Sequence, residues 1–134
     1  VRHPALAADT TVWVGGELLG KPADRDDAAR MLRLLSGTTH RVLTAVAIQS
    51  AERMEMAVSE NMVRFCELSP KDIANYIDSG EPMDKAGGYA IQGRAAQFVC
   101  DLRGSFSGVM GLPLYETAQL LERMEMQRER RNPR

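Results

Sequence analysis

Cysteine, histidine and aromatic side chains are scarce in this sequence. Two cysteines, Cys66 and Cys100, and two histidines, His3 and His40, stand at no metal-binding spacing, neither Cys-x-x-Cys nor His-x-x-x-His. That leaves little from which to build a zinc site, although all four together could in principle surround one ion. A buried-thiol role is the expectation for the cysteines, and so low a count suits a reducing compartment. Charge of one sign is not in excess either. With 17 basic against 18 acidic side chains the formal net charge is −1, whereas a nucleic-acid polymer normally selects a clear basic surplus to displace its counterions. No apolar run approaches membrane-spanning length, and no basic stretch leading into an apolar one opens the sequence. Neither a nucleic-acid nor a membrane partner is therefore expected, and the default location is the cytoplasm.

What is present is enough for one globular domain. The 134 residues are 44% hydrophobic and 26% charged, and a chain of that length buries a core without disulfide or metal staples. Residues 1–126 read as that domain. Residues 127–134, basic and polar, read as a disordered tail.

Local pattern supplies the elements. Ala5-Leu6-Ala7-Ala8 reads as the end of a buried strand that delivers Asp9 to the sheet edge. Thr11-Val12-Trp13-Val14 and Glu17-Leu18-Leu19 flank Gly15-Gly16, a pair suited to a tight hairpin turn. Asp24 is an N-cap for a helix whose apolar stripe is Ala28, Met31, Leu32 and Leu35, stopped by Gly37. Alternation from His40 to Ile48 predicts a strand, repeated at Met54, Met56 and Val58, with Val63 and Phe65 in a further strand. The short connections make this middle section antiparallel. Ser69-Pro70 opens a second helix, with Ile73, Ala74, Tyr76 and Ile77 buried and Gly80 as its stop. Glu81 to Gly93 is too rich in glycine for a regular element and reads as a functional loop. Ala96 to Leu102 reads as a strand and Gly104 to Gly111 as a loop. A final helix runs from Pro113 to about Met126, with Leu114, Ala118, Leu121 and Met124 inward. Helices alternating with strands, some joined as hairpins, place the chain in the α/β class with mixed α+β character.

Polar groups outside the periodic stretches concentrate at Asp9-Thr10, Lys21, Asp84-Lys85 and Gln92. A carboxylate can hold a divalent metal or take a proton from an attacking water, and lysines can hold polyphosphate oxygens. Threonine and glutamine suit the edge of a base, and the amides of Gly87 and Gly88 are open to a phosphate. Taken singly, each has a plainer role: Asp9 capping a turn, Lys21 solvated, Asp84 and Lys85 a surface ion pair, Gln92 satisfying loop backbone.

In order, the stretches Ala8-Asp9-Thr10-Thr11-Val12, Leu19-Gly20-Lys21-Pro22, Leu35-Ser36-Gly37 with His40-Arg41-Val42, Asp84-Lys85-Ala86-Gly87-Gly88-Tyr89-Ala90-Ile91-Gln92-Gly93 and Val109-Met110-Gly111-Leu112-Pro113-Leu114 closely resemble the Maf-like family of nucleoside triphosphate pyrophosphatases. The run from Asp84 to Gly93 resembles the dTTP/UTP branch rather than the branch associated with 7-methyl-GTP. The resemblance implies hydrolysis of a nucleoside triphosphate to monophosphate and pyrophosphate with a divalent cation, Mg²⁺ or Mn²⁺. It implies that Asp9 is the proton acceptor, that Thr10 and Gln92 contribute to base selection, and that Lys21 and Lys85 lie at the active site. It also implies an inosine-triphosphatase-like fold with a twisted mixed sheet and flanking helices, commonly assembled as a homodimer, in a house-cleaning enzyme whose family name records a link to septum formation.

Family members begin with a strand, a Ser-x-Arg loop, a helix, a glutamate and a further lysine, and no match to these precedes Asp9 here. The match thus covers the C-terminal two thirds of a family domain. The expectation is an exposed sheet edge and weakened turnover. A non-enzymatic remnant that binds nucleotide or a protein partner, or a 7-methyl-GTP pyrophosphatase, are the alternative readings.

Overall fold

The computed structural model describes residues 5–131. Strand β1 (Ala5–Val14) turns into β2 (Glu17–Leu19), followed by helix α1 (Arg25–Leu35), the long strands β3 (Thr39–Gln49) and β4 (Met54–Phe65), and helix α2 (Pro70–Asp78). Three 3-10 turns, at Glu81–Asp84, Ala86–Gly88 and Arg94–Phe98, lead to β5 (Val99–Arg103), then to the short helix α3 (Phe106–Met110) and to α4 (Leu114–Arg131). Among the described residues no helix is long and apolar enough to cross a membrane.

The strands form one sheet in the order β2-β1-β3-β4-β5. The α/β class with mixed character holds. The resemblance implies a mixed sheet, and here every pairing among the described residues is antiparallel. The connectivity explains this: β1–β2 and β3–β4 are hairpins, and α1 returns the chain antiparallel to β1. Strand β4 is continuous where two strands were expected, because it pairs with β3 from Met54 to Arg64 without interruption. Its one irregularity is a bulge against β5 at Arg64/Phe65.

The pleat sends every buried strand residue to the same face. Val12, Val14, Val42, Val46, Ile48, Val63 and Phe65 lie there under the helices, while Met54, Met56 and Val58, on the opposite face, remain more than half exposed (58%, 57% and 59%). Register sets Ala8, Val46 and Ala57 in one row, Thr10, Thr44 and Ser59 in the next, and Val12, Val42 and Asn61 in a third. The larger core joins Val12, Val42, Val63 and Phe65 to α1, α2 and the loop after α2. A smaller one holds Val46, Ile48 and Leu120 of α4.

Helix α1 forms as its sequence predicts. Asp24 caps it by accepting from the Asp27 amide at 2.8 Å, and Ala28, Met31, Leu32 and Leu35 are buried. Helix α2 opens on the reciprocal capping box of Ser69 and Asp72.

Several expectations change: Ala74 of α2 is exposed, the strand expected from Ala96 begins at Val99 after a 3-10 turn, and the loop expected from Gly104 to Gly111 contains α3. Ala5 to Ala8 are exposed, not buried, and Asp9 lies in mid-strand rather than at a strand end. The cause is that the strand continues unbroken through Asp9, paired with Ala45 of β3. Both cysteines are exposed, since Cys66 follows the last residue of β4 and Cys100 belongs to edge strand β5. Helix α4 turns Thr117 and Leu120 inward, with Met124 packed beside them, and leaves Leu114, Ala118 and Leu121 exposed. Both stripes have helical spacing, and docking over Val46 and Ile48 selects the one that carries Leu120. The helix also runs past Met126 into the segment expected as a tail. The side chains from 127 onward, residues 132–134 and His3 lie outside the described residues.

His40 of β3 is 1% exposed. Its Nε2 and the Tyr89 hydroxyl are hydrogen-bonded at 2.6 Å, and Nδ1 has no partner among the described residues. The ring packs edge-on against both Phe65 and Tyr89. Burial lowers the imidazole to about 4 from an ordinary value of 6.5. The unfolded chain therefore takes up this proton as pH falls through 6.5, and the fold takes it up only near 4. The contribution is complete above pH 6.5 and gone by about pH 4, a loss of about 3 kcal/mol. Urea unfolding between pH 7 and 4 should accordingly be steeper in pH for the unaltered chain than for His40→Gln; parallel slopes would contradict the assignment.

Candidate active site

The lysines come together first. The Gly87 amide donates to the Gly20 carbonyl at 3.0 Å, which lays the loop before α1 against the loop that follows α2. Gly87 has φ +76, and a Cβ there would stand 2.9 Å from Cγ2 of Val12 on β1. Only glycine combines that left-handed turn with so close an approach. This contact sets Lys21 and Lys85 on either side of one backbone hydrogen bond. Lys85 donates to Asp84 at 3.0 Å, an exposed pair of little energetic weight. The Asp84 carboxyl is held below its usual range, first by that hydrogen bond, then by the Lys85 charge and, least of all, by the Lys21 charge. The surface ion pair anticipated from sequence is thus present, and the second ammonium acts on the same carboxylate.

Thr10 shares this face of β1, two residues before Val12 and so about 7 Å along the strand. Its hydroxyl is 3.0 Å from that of Thr44, which donates to the Gly108 carbonyl at 2.6 Å. Asp9 is on the opposite, open face, in the row of Ala45 and Val58. Its carboxylate is exposed, with no hydrogen bond or ion pair among the described residues.

Gln92 is exposed in the turn after buried Ile91. The segment that presents it is pinned at both ends. The Ala90 amide donates to the Tyr76 hydroxyl at 3.1 Å, that hydroxyl donates to Glu81, and the same carboxylate accepts from the Arg94 amide at 3.1 Å. Burial, reinforced by the bond to Glu81, pushes the Tyr76 phenol far above its ordinary range, so it stays a donor. A Cβ on Gly93 would fall 2.0 Å from a Glu81 oxygen, which is why glycine follows Gln92.

The structure therefore unites Lys21 with Lys85 and puts Thr10 on the same strand face. It leaves Asp9 across the strand, and joins Gln92 to none of the others by a hydrogen bond. A cleft of about 520 Å³ between α1 and α2, lined by Ala29, Leu68, Pro70 and Ile73, and a smaller one beside Tyr76 and Arg94, are lined by none of these five residues.

Sequence reading missed the residues that hold these groups: Glu81, Tyr76, Thr44 and Asn61. Asn61 is 1% exposed, donates to Ser59 at 3.0 Å and accepts from the Ser105 amide at 2.6 Å. A signal for two of them existed, since Thr44 and Asn61, like Ser59, are polar at the inward beat of an alternating strand.

A family model described as Maf-like protein matches residues 2–124. The chain belongs to the Maf-like family. Among its relatives, a protein of Ralstonia nicotianae is 61% identical over 120 residues, covering 89% of this chain and 58% of the relative. One of Aromatoleum aromaticum is 56% identical over 120 residues, covering 90% and 58%. One of Cupriavidus pinatubonensis is 55% identical over 123 residues, covering 92% and 62%. All three are named dTTP/UTP pyrophosphatase. The chain spans about three fifths of the length of these Maf-like relatives.

For a divalent cation the donor set is sparse. No group of three or more His, Cys, Asp or Glu side chains converges among the described residues, and Asp84 is engaged by lysine. One free carboxylate, Asp9, fits a cation that is carried in largely by phosphate oxygens and water, the usual habit of Mg²⁺.

Packing of Gly87 on Val12 is directly testable. Gly87→Ala should cost about 2–4 kcal/mol in urea unfolding, from the positive φ together with overpacking. Adding Val12→Ala should recover the packing component at most, because the φ penalty remains. A Gly87→Ala protein as stable as the parent would show that the loop does not rest on β1.

Proposed function

We propose that this Maf-like chain is a nucleoside triphosphate pyrophosphatase acting on dTTP and UTP. The observation that carries the reading is the meeting of Lys21 and Lys85 across the Gly20–Gly87 hydrogen bond, on the strand face that also bears Thr10. Two ammonium groups suit the oxygens of a leaving pyrophosphate; the Gly87 and Gly88 amides, expected from sequence to be open to a phosphate, are instead bonded to the Gly20 and Lys85 carbonyls. Identity of 61% to a relative of that name supports the same substrate class.

In this reading the substrate reaches round the edge of β1, which β2 pairs with only at Val12–Val14, to the face that carries Asp9; water attacks the α-phosphorus, its proton passes to the Asp9 carboxylate, and the bond from that phosphorus to the α–β bridging oxygen breaks. Pyrophosphate leaves and the nucleoside monophosphate remains. Asp9 suits the role because its carboxylate is exposed and, among the described residues, unpaired. A divalent cation, Mg²⁺ or Mn²⁺, bound to the substrate phosphates and to Asp9, would supply charge neutralisation there. Lys21 and Lys85 would orient the β- and γ-phosphates, and Thr10 and Gln92 would meet the base. We place the reaction in the cytoplasm, with a homodimer as the working assembly.

Incubation with UTP and Mg²⁺ in ¹⁸O-water should yield UMP and pyrophosphate in equal amounts, the label entering UMP. Asp9→Asn should lower kcat by about 100-fold or more with KM little changed. The Lys21→Ala, Lys85→Ala double variant should lower kcat/KM by about 100-fold. Release of orthophosphate in place of pyrophosphate, or a double variant of undiminished rate, would refute the assignment.

A further inference from the structure

Thr44 is fully buried, and its single hydroxyl proton has only one destination. The Gly108 carbonyl, 2.6 Å away, can accept but not donate, so Thr44 must donate to it. That same carbonyl also accepts from the Gly111 amide at 3.2 Å, which employs both of its lone pairs. Thr44 then has no proton left for Thr10. The 3.0 Å contact between the two hydroxyls is consequently a bond donated by Thr10 and accepted by Thr44.

From this proton count we infer that Thr44 is a positioning residue that fixes the polarity of Thr10: the half-buried Thr10 oxygen presents only lone pairs to a ligand. The surroundings hold the relay in place. The Gly108 amide is bound by Ser105 Oγ at 3.1 Å, and a Cβ on Gly108 would fall 2.3 Å from Ser59 Oγ and 2.8 Å from Asn61 Nδ2, so α3 sits tight on the strands. A Cβ on Gly111 would stand 3.5 Å from the Thr10 oxygen, so glycine there leaves that side of the hydroxyl uncrowded.

The inference rests on the nucleotide reading given above and sharpens it. An oxygen that can only accept takes the N3–H of uracil or thymine. Against cytosine it faces the unprotonated N3, lone pair to lone pair, with no proton able to turn outward. Discrimination between a pyrimidine with an N3–H and one without it would thus be set from a residue that touches no substrate.

The test is the affinity of the non-hydrolysable α,β-imido analogues of UTP and CTP for the full chain, measured by calorimetry. The unaltered chain should prefer the UTP analogue by roughly 100-fold. Thr44→Val, nearly isosteric, frees the Thr10 proton and should bring the ratio below about tenfold, chiefly by tighter CTP binding; Thr44→Ser should restore it. A folded Thr44→Val protein with the original ratio overturns the proposal. The hydroxyl protons of the nucleotide-free protein give a second arm by NMR. Thr10 and Thr44 protons that exchange slowly, the first close to Thr44 and the second close to Gly108, support the relay, and a Thr10 proton directed outward overturns it. A chain that binds neither analogue refutes the nucleotide reading, and with it the specificity claim, while the hydroxyl spectrum still decides the relay.

Discussion

A cluster of polar side chains spanning two neighbouring rows lies in the middle of the sheet under the helices, and its hydrogen bonds must be met inside the protein. Thr44, Ser59 and Asn61 are 0%, 2% and 1% exposed. Leaving such groups unpaired costs about 1–3 kcal/mol each. The solution is the Ser105–Gly111 segment, whose backbone supplies the Gly108 carbonyl to Thr44 and the Ser105 amide to Asn61. This constraint explains why the loop is rich in glycine and serine. Side chains at Gly104 or Gly108 would strike Asn61 or Ser59, and the hydroxyls of Ser105 and Ser107 satisfy the amides of Gly108 and Leu114.

The seam also divides the apolar interior. On one side Val12, Val42 and Val63 pack with α1 and α2; on the other Val46 and Ile48 meet Leu120 of α4. Thr10 stands where the seam reaches β1, next to the position at which Gly87 rests on Val12. The lysine-bearing loops and the threonine-bearing strand are therefore registered by the same short stretch of β1. Packing at Val12 and hydrogen bonding at Thr10 are thus neighbouring fixings, one for the lysine-bearing loops and one for the threonine-bearing strand. Across the molecule, Tyr76 and Glu81 do comparable work for the turn that carries Gln92, using one buried phenol and one carboxylate to tie Ala90 to Arg94.

Much of this was legible locally. The caps at Asp24 and Ser69 and the buried stripe of α1 follow from short-range chemistry, and the structure reproduces them. The alternation of β3 assigned its inward residues correctly, because a period of two has only one buried phase. In α4 the same kind of argument chose the wrong stripe. Leu114 and Leu121 are as well spaced as Thr117 and Leu120, and what separates them is the apolar surface of β3 beneath. At the site, the residue types were readable but their sidedness was not. Adjacent residues in a strand point apart, so Asp9 and Thr10, neighbours in the motif, serve opposite faces of the sheet.

By itself the sequence determined the family, the helix caps, the alternation of the strands and the identity of the polar groups that stand outside any core stripe. These depend on near neighbours or on motif order, both of which a linear chain preserves. Only the tertiary structure decided that Lys21 and Lys85 meet, that the cysteines lie outside, which flank of α4 is buried, and that Thr44 and Asn61 sustain a loop more than forty residues away. Those outcomes turn on strand register and on single hydrogen-bond donors finding single acceptors, and neither exists until distant segments share a surface.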